Sequence, residues 1–177
     1  WQRVALSRSL RELGAGSSDF LEFELASRGM LGNQFSAGAT YRVLVTGFDP
    51  FHLDDHIEQG NPSGVVALQH QHKQIALGAE RAEIRSMIFP VRYKDFDDFL
   101  VERVLETFTD RVDMVITVSM GRTGFDLERF PGRRRSVSTP DNVRQAGGGS
   151  AEKPFIPPHL KGPEFIEFSL PVAEMKK

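Results

Sequence analysis

Apolar positions early in the chain recur at helical spacing. Val4, Leu6, Leu10 and Leu13 predict a short amphipathic helix closing near Gly14. Ser17, Ser18 and Asp19 are cap-type residues, and Phe20, Leu21, Phe23, Leu25 and Ala26 behind them predict a second helix running to Arg28-Gly29. Gly32, Asn33, Gly38 and Thr40 read as a linker. From Tyr41 the pattern changes. Tyr41–Thr46 is a nearly continuous β-prone run, as expected of a strand buried on both faces. Asn61-Pro62 then opens a helix, with Asn at the cap and Pro at the first position, expected to reach Lys73. Ala82–Pro90 reads as a strand. Tyr93–Thr109 places Phe96, Phe99, Leu100, Val104, Leu105 and Phe108 near helical spacing, with Asp95, Asp97 and Asp98 in the first turns. Val112–Val118 is another buried strand.

Strand, helix, strand, helix, strand implies a parallel sheet with helices on its faces. Residues 119–163 carry Gly147-Gly148-Gly149 and Pro154, Pro157, Pro158 and Pro163, and are expected to be irregular, which in a compact domain points to function or disorder. Leu170-Pro171-Val172-Ala173 begins a further helix near the last residue, Lys177.

Composition narrows the classes. A chain of 177 residues suggests one domain with an appendage. Its 22 Lys and Arg against 24 Asp and Glu give a net charge of −2, so no electrostatic argument favours nucleic acid or an anionic membrane. No apolar run approaches the roughly 18–20 residues of a membrane helix. There is no cysteine, which removes disulfides and thiolate metal sites within these residues. His52 and His56 beside Asp54 and Asp55 read better as a solvated loop than as a metal site, and no cofactor-binding motif is present. The Arg133-Arg134-Arg135 run is expected to be a solvated or partner-facing loop.

Ligands of parallel sheets bind beyond the carboxyl ends of the strands. Two loops leave such ends: Gly47–Gly60, carrying Phe48, Asp49, Pro50 and Phe51, and Ser119–Phe130, carrying Gly121, Arg122, Glu128 and Arg129. Phe48 and Phe51 can wall an apolar slot for a flat ligand, or fold back onto the core. An adjacent Glu128-Arg129 pair can orient a base, or can be a surface pair.

Together these loops resemble the pyroglutamyl peptidase I (pyrrolidone-carboxylate peptidase) family. Thr46-Gly47-Phe48-Asp49-Pro50-Phe51 matches its T-G-F-x-P-F, and Asn61-Pro62, Gly121-Arg122, Glu128-Arg129, Pro140-Asp141-Asn142 and Leu170-Pro171 match its later motifs in order. The resemblance spans roughly residues 41–177. It implies a three-layer α/β/α sandwich with a mostly parallel sheet, here preceded by an N-terminal extension over residues 1–40. It implies removal of an N-terminal pyroglutamyl residue from peptides, in a family often assembled as a homotetramer, in the cytoplasm unless a leader directs export. Phe48 and Phe51 would sandwich the lactam ring, Arg122 would join the substrate site, and Glu128 would belong to the catalytic group.

The departures are equally concrete. The family's Cys nucleophile and its His lie beyond the Leu-Pro motif, and the sequence stops before either, so the domain is expected to be incomplete at its C-terminus and inactive alone. None of His52, His56, His70, His72 and His159 stands where that His should. Arg133 replaces a usual Asn, and His52-Leu53-Asp54-Asp55 replace glycines. A non-catalytic pseudoenzyme binding a cyclic amide or peptide terminus is therefore an alternative, as is an interaction module that uses residues 1–40.

Overall fold

The computed structural model describes residues 2–52, 55–56, 58–108, 112–121 and 123–176. Helices α1 (Gln2–Glu12) and α2 (Ser17–Ser27) lead into strand β1 (Tyr41–Phe48). Gly14, at φ 73, ends the first turn region in a conformation that suits glycine. The cap of α2 is Gly16 rather than one of Ser17, Ser18 and Asp19, which lie in its first turn, and the Asp19 carboxylate accepts from Gly16 N at 2.8 Å. Helix α3 (Pro62–His70), strand β2 (Gln74–Leu77), strand β3 (Glu80–Phe89), helices α4 (Tyr93–Asp97) and α5 (Leu100–Glu106), strand β4 (Met114–Thr117) and the short helix α6 (Val172–Met175) follow.

The sheet order is β2-β3-β1-β4. β1 is central and parallel to both neighbours, with Leu44 opposite Arg85 and Val115, and Thr46 opposite Met87 and Thr117. This explains its unbroken apolar run, since Leu44, Val45, Thr46 and Gly47 are all buried. Successive side chains serve opposite faces. Leu44, Met87 and Phe89 meet Met30, Val104 and Phe108, with Leu25, Phe35, Phe96 and Leu100 packed around them. Val45, Ile84 and Ile88 meet Ala67 of α3 on the other side. Three layers result, α3 beneath the sheet and α2, α4 and α5 above it.

Three expectations about elements change: the strand expected to be buried over Val112–Val118 is the sheet-edge strand β4, with Met114, Val115 and Thr117 exposed, and two helices end early. The helix expected to reach Lys73 stops at His70, because Gln71 turns inward and His72, at φ 64, reverses the chain into β2. The Gln71 Oε1 accepts from Ser86 N at 2.6 Å, which anchors this turn to β3. β2 then runs antiparallel to β3, so the sheet is mixed although mostly parallel. The helix expected over residues 93–109 breaks at Phe99, which sits at φ 62 between α4 and α5. Its ring lies 4.5 Å from that of His159, an attraction from outside the helix that periodicity cannot register.

The expectation for the arginine run is corrected for Arg133 and Arg135, which are half-buried, and holds for the exposed Arg134. Arg133 donates to Leu160 O, Arg134 pairs with Glu164 at 3.1 Å, and Arg135 pairs with Asp97 at 2.8 Å. The Arg135 guanidinium also lies 5.3 Å from the Tyr93 ring centre and 4.8 Å from that of Phe155. These contacts, with bridges between Gly132 and Phe165 and between Arg135 and Phe155, organise a segment that has almost no regular structure.

Candidate functional site: an aromatic loop braced from four sides

The segment Phe48–His52 leaves the carboxyl end of β1, and its backbone is held almost residue by residue. Phe48 N donates to Ser63 Oγ at 3.1 Å, and Asp49 N donates to Phe89 O at 3.0 Å. Asn61 Nδ2 donates to Asp49 O at 2.9 Å. Asn142 Nδ2 donates to Pro50 O at 2.9 Å, while Asn142 Oδ1 accepts from His52 N at 2.8 Å. A loop whose polar backbone groups are paired in this way is preorganised, which lowers the entropy lost on binding.

The geometry follows from a few small and polar residues. Asn61 caps α3 by accepting from Ser63 N at 3.1 Å and from Ser63 Oγ at 2.7 Å, which leaves its Nδ2 for the loop. α3 lies close against β1 because both facing positions are glycine. A Cβ on Gly47 would collide with the Ser63 carbonyl, and one on Gly64 would sit 2.5 Å from Phe48 O. On the far side, Asp141 is 1% exposed. Its Oδ2 accepts from Tyr93 N at 2.9 Å, and its Oδ1 accepts from Val143 N and Gln145 N, each at 2.9 Å. Burial pushes this carboxyl's pKa up, but the backbone N–H groups of Gln145, Tyr93 and Val143 more than reverse that, and it falls below the usual carboxylate range. The turn so formed delivers Asn142 to the loop.

Phe48 is half-buried. Its inner side packs against Phe96 at 6.2 Å between ring centres and an interplanar angle of 30°, and against Phe89 at 6.1 Å. Phe51 is also half-buried, and no ring contact joins it to Phe48. His52 takes a left-handed backbone at φ 47, which a non-glycine residue adopts only when its surroundings enforce it. Its Nδ1 is buried without a hydrogen-bond partner among the described residues, as is Thr46 Oγ1 on the strand below.

The other predicted residues are placed differently. Glu128 is exposed, and no hydrogen bond or ion pair joins it to the aromatic loop among the described residues. Its neighbour Arg129 pairs with Glu167 at 2.5 Å and lies over the Phe130 ring. Arg122, Asp54 and Leu53 lie outside the described residues. Among the described residues, no cluster of three or more His, Asp or Glu could hold a metal ion, and no helix is long and apolar enough to cross a membrane.

An ionic cluster completes the fourth side. Asp49, at the variable position of the aromatic motif, points to Arg28 Nη2 at 2.6 Å and Arg3 Nη1 at 3.4 Å. Glu24 bridges the same two arginines at 2.8 and 3.0 Å and reaches Arg92 at 3.4 Å. Burial would raise the Glu24 pKa, but Arg28, Arg3 and Arg92 together bring it below the ordinary value. Sequence reasoning assigned no role in the loop to Arg28, Asn61, Ser63 or Asn142. The Asn-Pro and Pro-Asp-Asn motifs are the available signal for Asn61 and Asn142; nothing in the sequence pairs Arg28 with Asp49.

A mostly parallel sheet sandwiched between helices, with a braced loop at the tip of its central strand, defines an α/β/α protein of the pyroglutamyl peptidase-like fold. Solved structures agree with that class. The Thermococcus litoralis pyrrolidone carboxyl peptidase superposes with a TM-score of 0.59 at 24% identity, covering 77% of this chain and 56% of that one. The protein described as Pf-PCP(1-204)-C gives 0.56 at 25% identity over 76% of this chain and 56% of that one. Pyroglutamyl peptidase I of Bacillus amyloliquefaciens gives 0.55 at 24% identity over 76% of this chain and 58% of that one. The chain thus spans little more than half the length of these structures. No curated protein matches it. The chain belongs to the family described as "PA0049, C-terminal domain", which matches residues 42–159.

Proposed function

We propose that this chain carries the ring-recognition part of a pyroglutamyl peptidase-like cysteine peptidase, acting on peptides with an N-terminal pyroglutamyl residue. The observation that carries the reading is the aromatic loop Phe48–His52, braced at the tip of the central strand in a fold shared with proteins named as pyroglutamyl peptidases. A five-membered lactam has two apolar faces and a polar edge. The accessible sides of Phe48 and Phe51 suit the faces.

Peptide cleavage by this chemistry needs a thiolate and a base that a carboxylate orients. Glu128 takes the carboxylate role in this reading, with Arg122 assisting in substrate binding. The nucleophile is not among these 177 residues, which contain no cysteine. Residues 41–177 form the peptidase-like unit and residues 1–40 precede it; assembly of several copies and a cytoplasmic setting belong to the same proposal. A second reading, binding of a cyclic amide without cleavage, is favoured by the exposed position of Glu128, which no hydrogen bond or ion pair joins to the aromatic loop among the described residues.

A fluorogenic pyroglutamyl-coumarin substrate tests the proposal. The 177-residue chain is expected to bind it and release no coumarin. Turnover that survives iodoacetamide would show a nucleophile of another kind and overturn the cysteine-peptidase assignment. Absence of any binding would overturn the recognition role.

A further inference from the structure

Arg28 is buried to 4% exposure at the end of α2, yet it belongs to neither apolar cluster. A buried guanidinium is costly unless charged and polar partners surround it. Here they do: Asp49 Oδ2 lies at 2.6 Å, Glu24 Oε1 at 2.8 Å, and Nη1 approaches Ile88 O at 3.4 Å. The Arg28 backbone is fixed as well, since its carbonyl accepts from Ile88 N at 2.9 Å. Next to it, Gly29 sits at φ 71 with its α-carbon so close to the sheet that a Cβ would lie 2.5 Å from Ser86 O. Asn33 Nδ2 then donates to Ser86 O at 2.8 Å. The end of the helical hairpin is therefore seated on β3, and Arg28 reaches from that seat to the aromatic loop. Arg3 of α1 adds a weaker hold on the same carboxylate at 3.4 Å.

Asp49 is the residue between Phe48 and the Pro50-Phe51 pair, so fixing its side chain restrains both aromatic positions. Its own backbone is paired with Phe89 O and Asn61 Nδ2, which leaves the carboxylate as the one group of the residue held from outside the 41–177 unit. We infer that the N-terminal helical hairpin is a working part of the ligand loop: Arg28 is a positioning residue that acts through Asp49 to set Phe48 and Phe51, and it tunes the affinity of the loop for its ring. The inference rests on the ring-recognition reading only for its second half; the positioning of the loop is testable without a ligand.

The test uses the full chain with Arg28→Gln, Asp49→Asn and the double variant. Asp49→Asn keeps side-chain size at a position 20% exposed, so it reports even where loss of the buried arginine impairs folding. Hydrogen exchange at Asp49 and His52, whose amides are bonded to Phe89 O and Asn142 Oδ1, is expected to accelerate about tenfold in each single variant, with amides of Val43–Thr46 unchanged and the double variant no worse than either single one. Free pyroglutamate should bind each variant about tenfold more weakly than wild type, again without further loss in the double variant. Equal acceleration across β1 and β3 would mean a purely structural arginine and would overturn the inference, as would unchanged exchange in Asp49→Asn. If wild type binds no pyroglutamate while the loop still loosens selectively, ring recognition fails and positioning stands. If pyroglutamate binds wild type and variants alike, recognition stands and the tuning of affinity by Arg28 falls.

Discussion

Asp141→Asn is the substitution whose cost the structure defines best. The native carboxylate accepts three backbone N–H groups, one at Oδ2 and two at Oδ1. An amide offers one oxygen. With that oxygen in the Oδ1 position, an NH2 group faces the Tyr93 N–H, so one bond to a charged acceptor is lost and a buried donor is left unpaired. A hydrogen bond to a charged group contributes roughly 1.5–3 kcal/mol, and the orphaned donor adds about 1–3 kcal/mol. The neutral amide is easier to bury, which offsets part of this, and the net loss is about 2–4 kcal/mol. At roughly 2–4 °C per kcal/mol for a chain of this size, the melting temperature should fall by about 5–15 °C. pH supplies a second check. The folded carboxyl pKa lies below the ordinary value, so its stabilisation is complete above about pH 4 and is lost as pH falls through the folded pKa. The gap between wild type and Asp141→Asn should be constant at neutral pH and narrow on acidification below about pH 4. Thermal unfolding followed by circular dichroism measures both. A shift of less than about 2 °C, or a gap that persists undiminished in acid, would refute the role assigned to this turn.

Gly47→Ala should destabilise the fold by about 2 kcal/mol or more in denaturant titration, because the new methyl meets the Ser63 carbonyl and forces α3 away from β1. Asn61→Ala removes the α3 cap and the bond to Asp49 O together, so about 1–3 kcal/mol should be lost, and exchange at Phe48 and Asp49 should rise more than at the far end of α3. Phe96→Ala withdraws the ring stacked under Phe48; about 2–4 kcal/mol of stability is the expected loss, with weaker binding of any ligand that uses Phe48 as a wall.

Much of this architecture is legible in the chain because it is written in local patterns. β1 reads as a central strand since Leu44 to Gly47 are apolar or small without alternation, and it is covered on both faces. α3 reads from Asn61-Pro62, whose cap geometry is as expected. The failures share one cause, which is that distant partners override local preference. His72 and Phe99 hold left-handed backbones because β3 and His159 reward those turns, and helical periodicity contains neither partner. Arg135 looks solvent-bound in sequence, but Tyr93, Phe155 and Asp97 enclose it. The candidate site divides the same way. Phe48 and Phe51 are visible from their motif, whereas their braces come from positions 61, 63 and 142 and from Arg28 in a different helix.

Titration of the isotopically labelled chain with free pyroglutamate, followed by NMR, tests the central claim most directly. The account predicts saturable shifts centred on the amides of Phe48, Asp49, Phe51 and His52, and a loss of affinity of about five- to thirty-fold in Phe51→Ala, the equivalent of about 1–2 kcal/mol for one aromatic wall. Shifts that centre elsewhere on the chain, or a Phe51→Ala variant that binds as tightly as wild type, would contradict it.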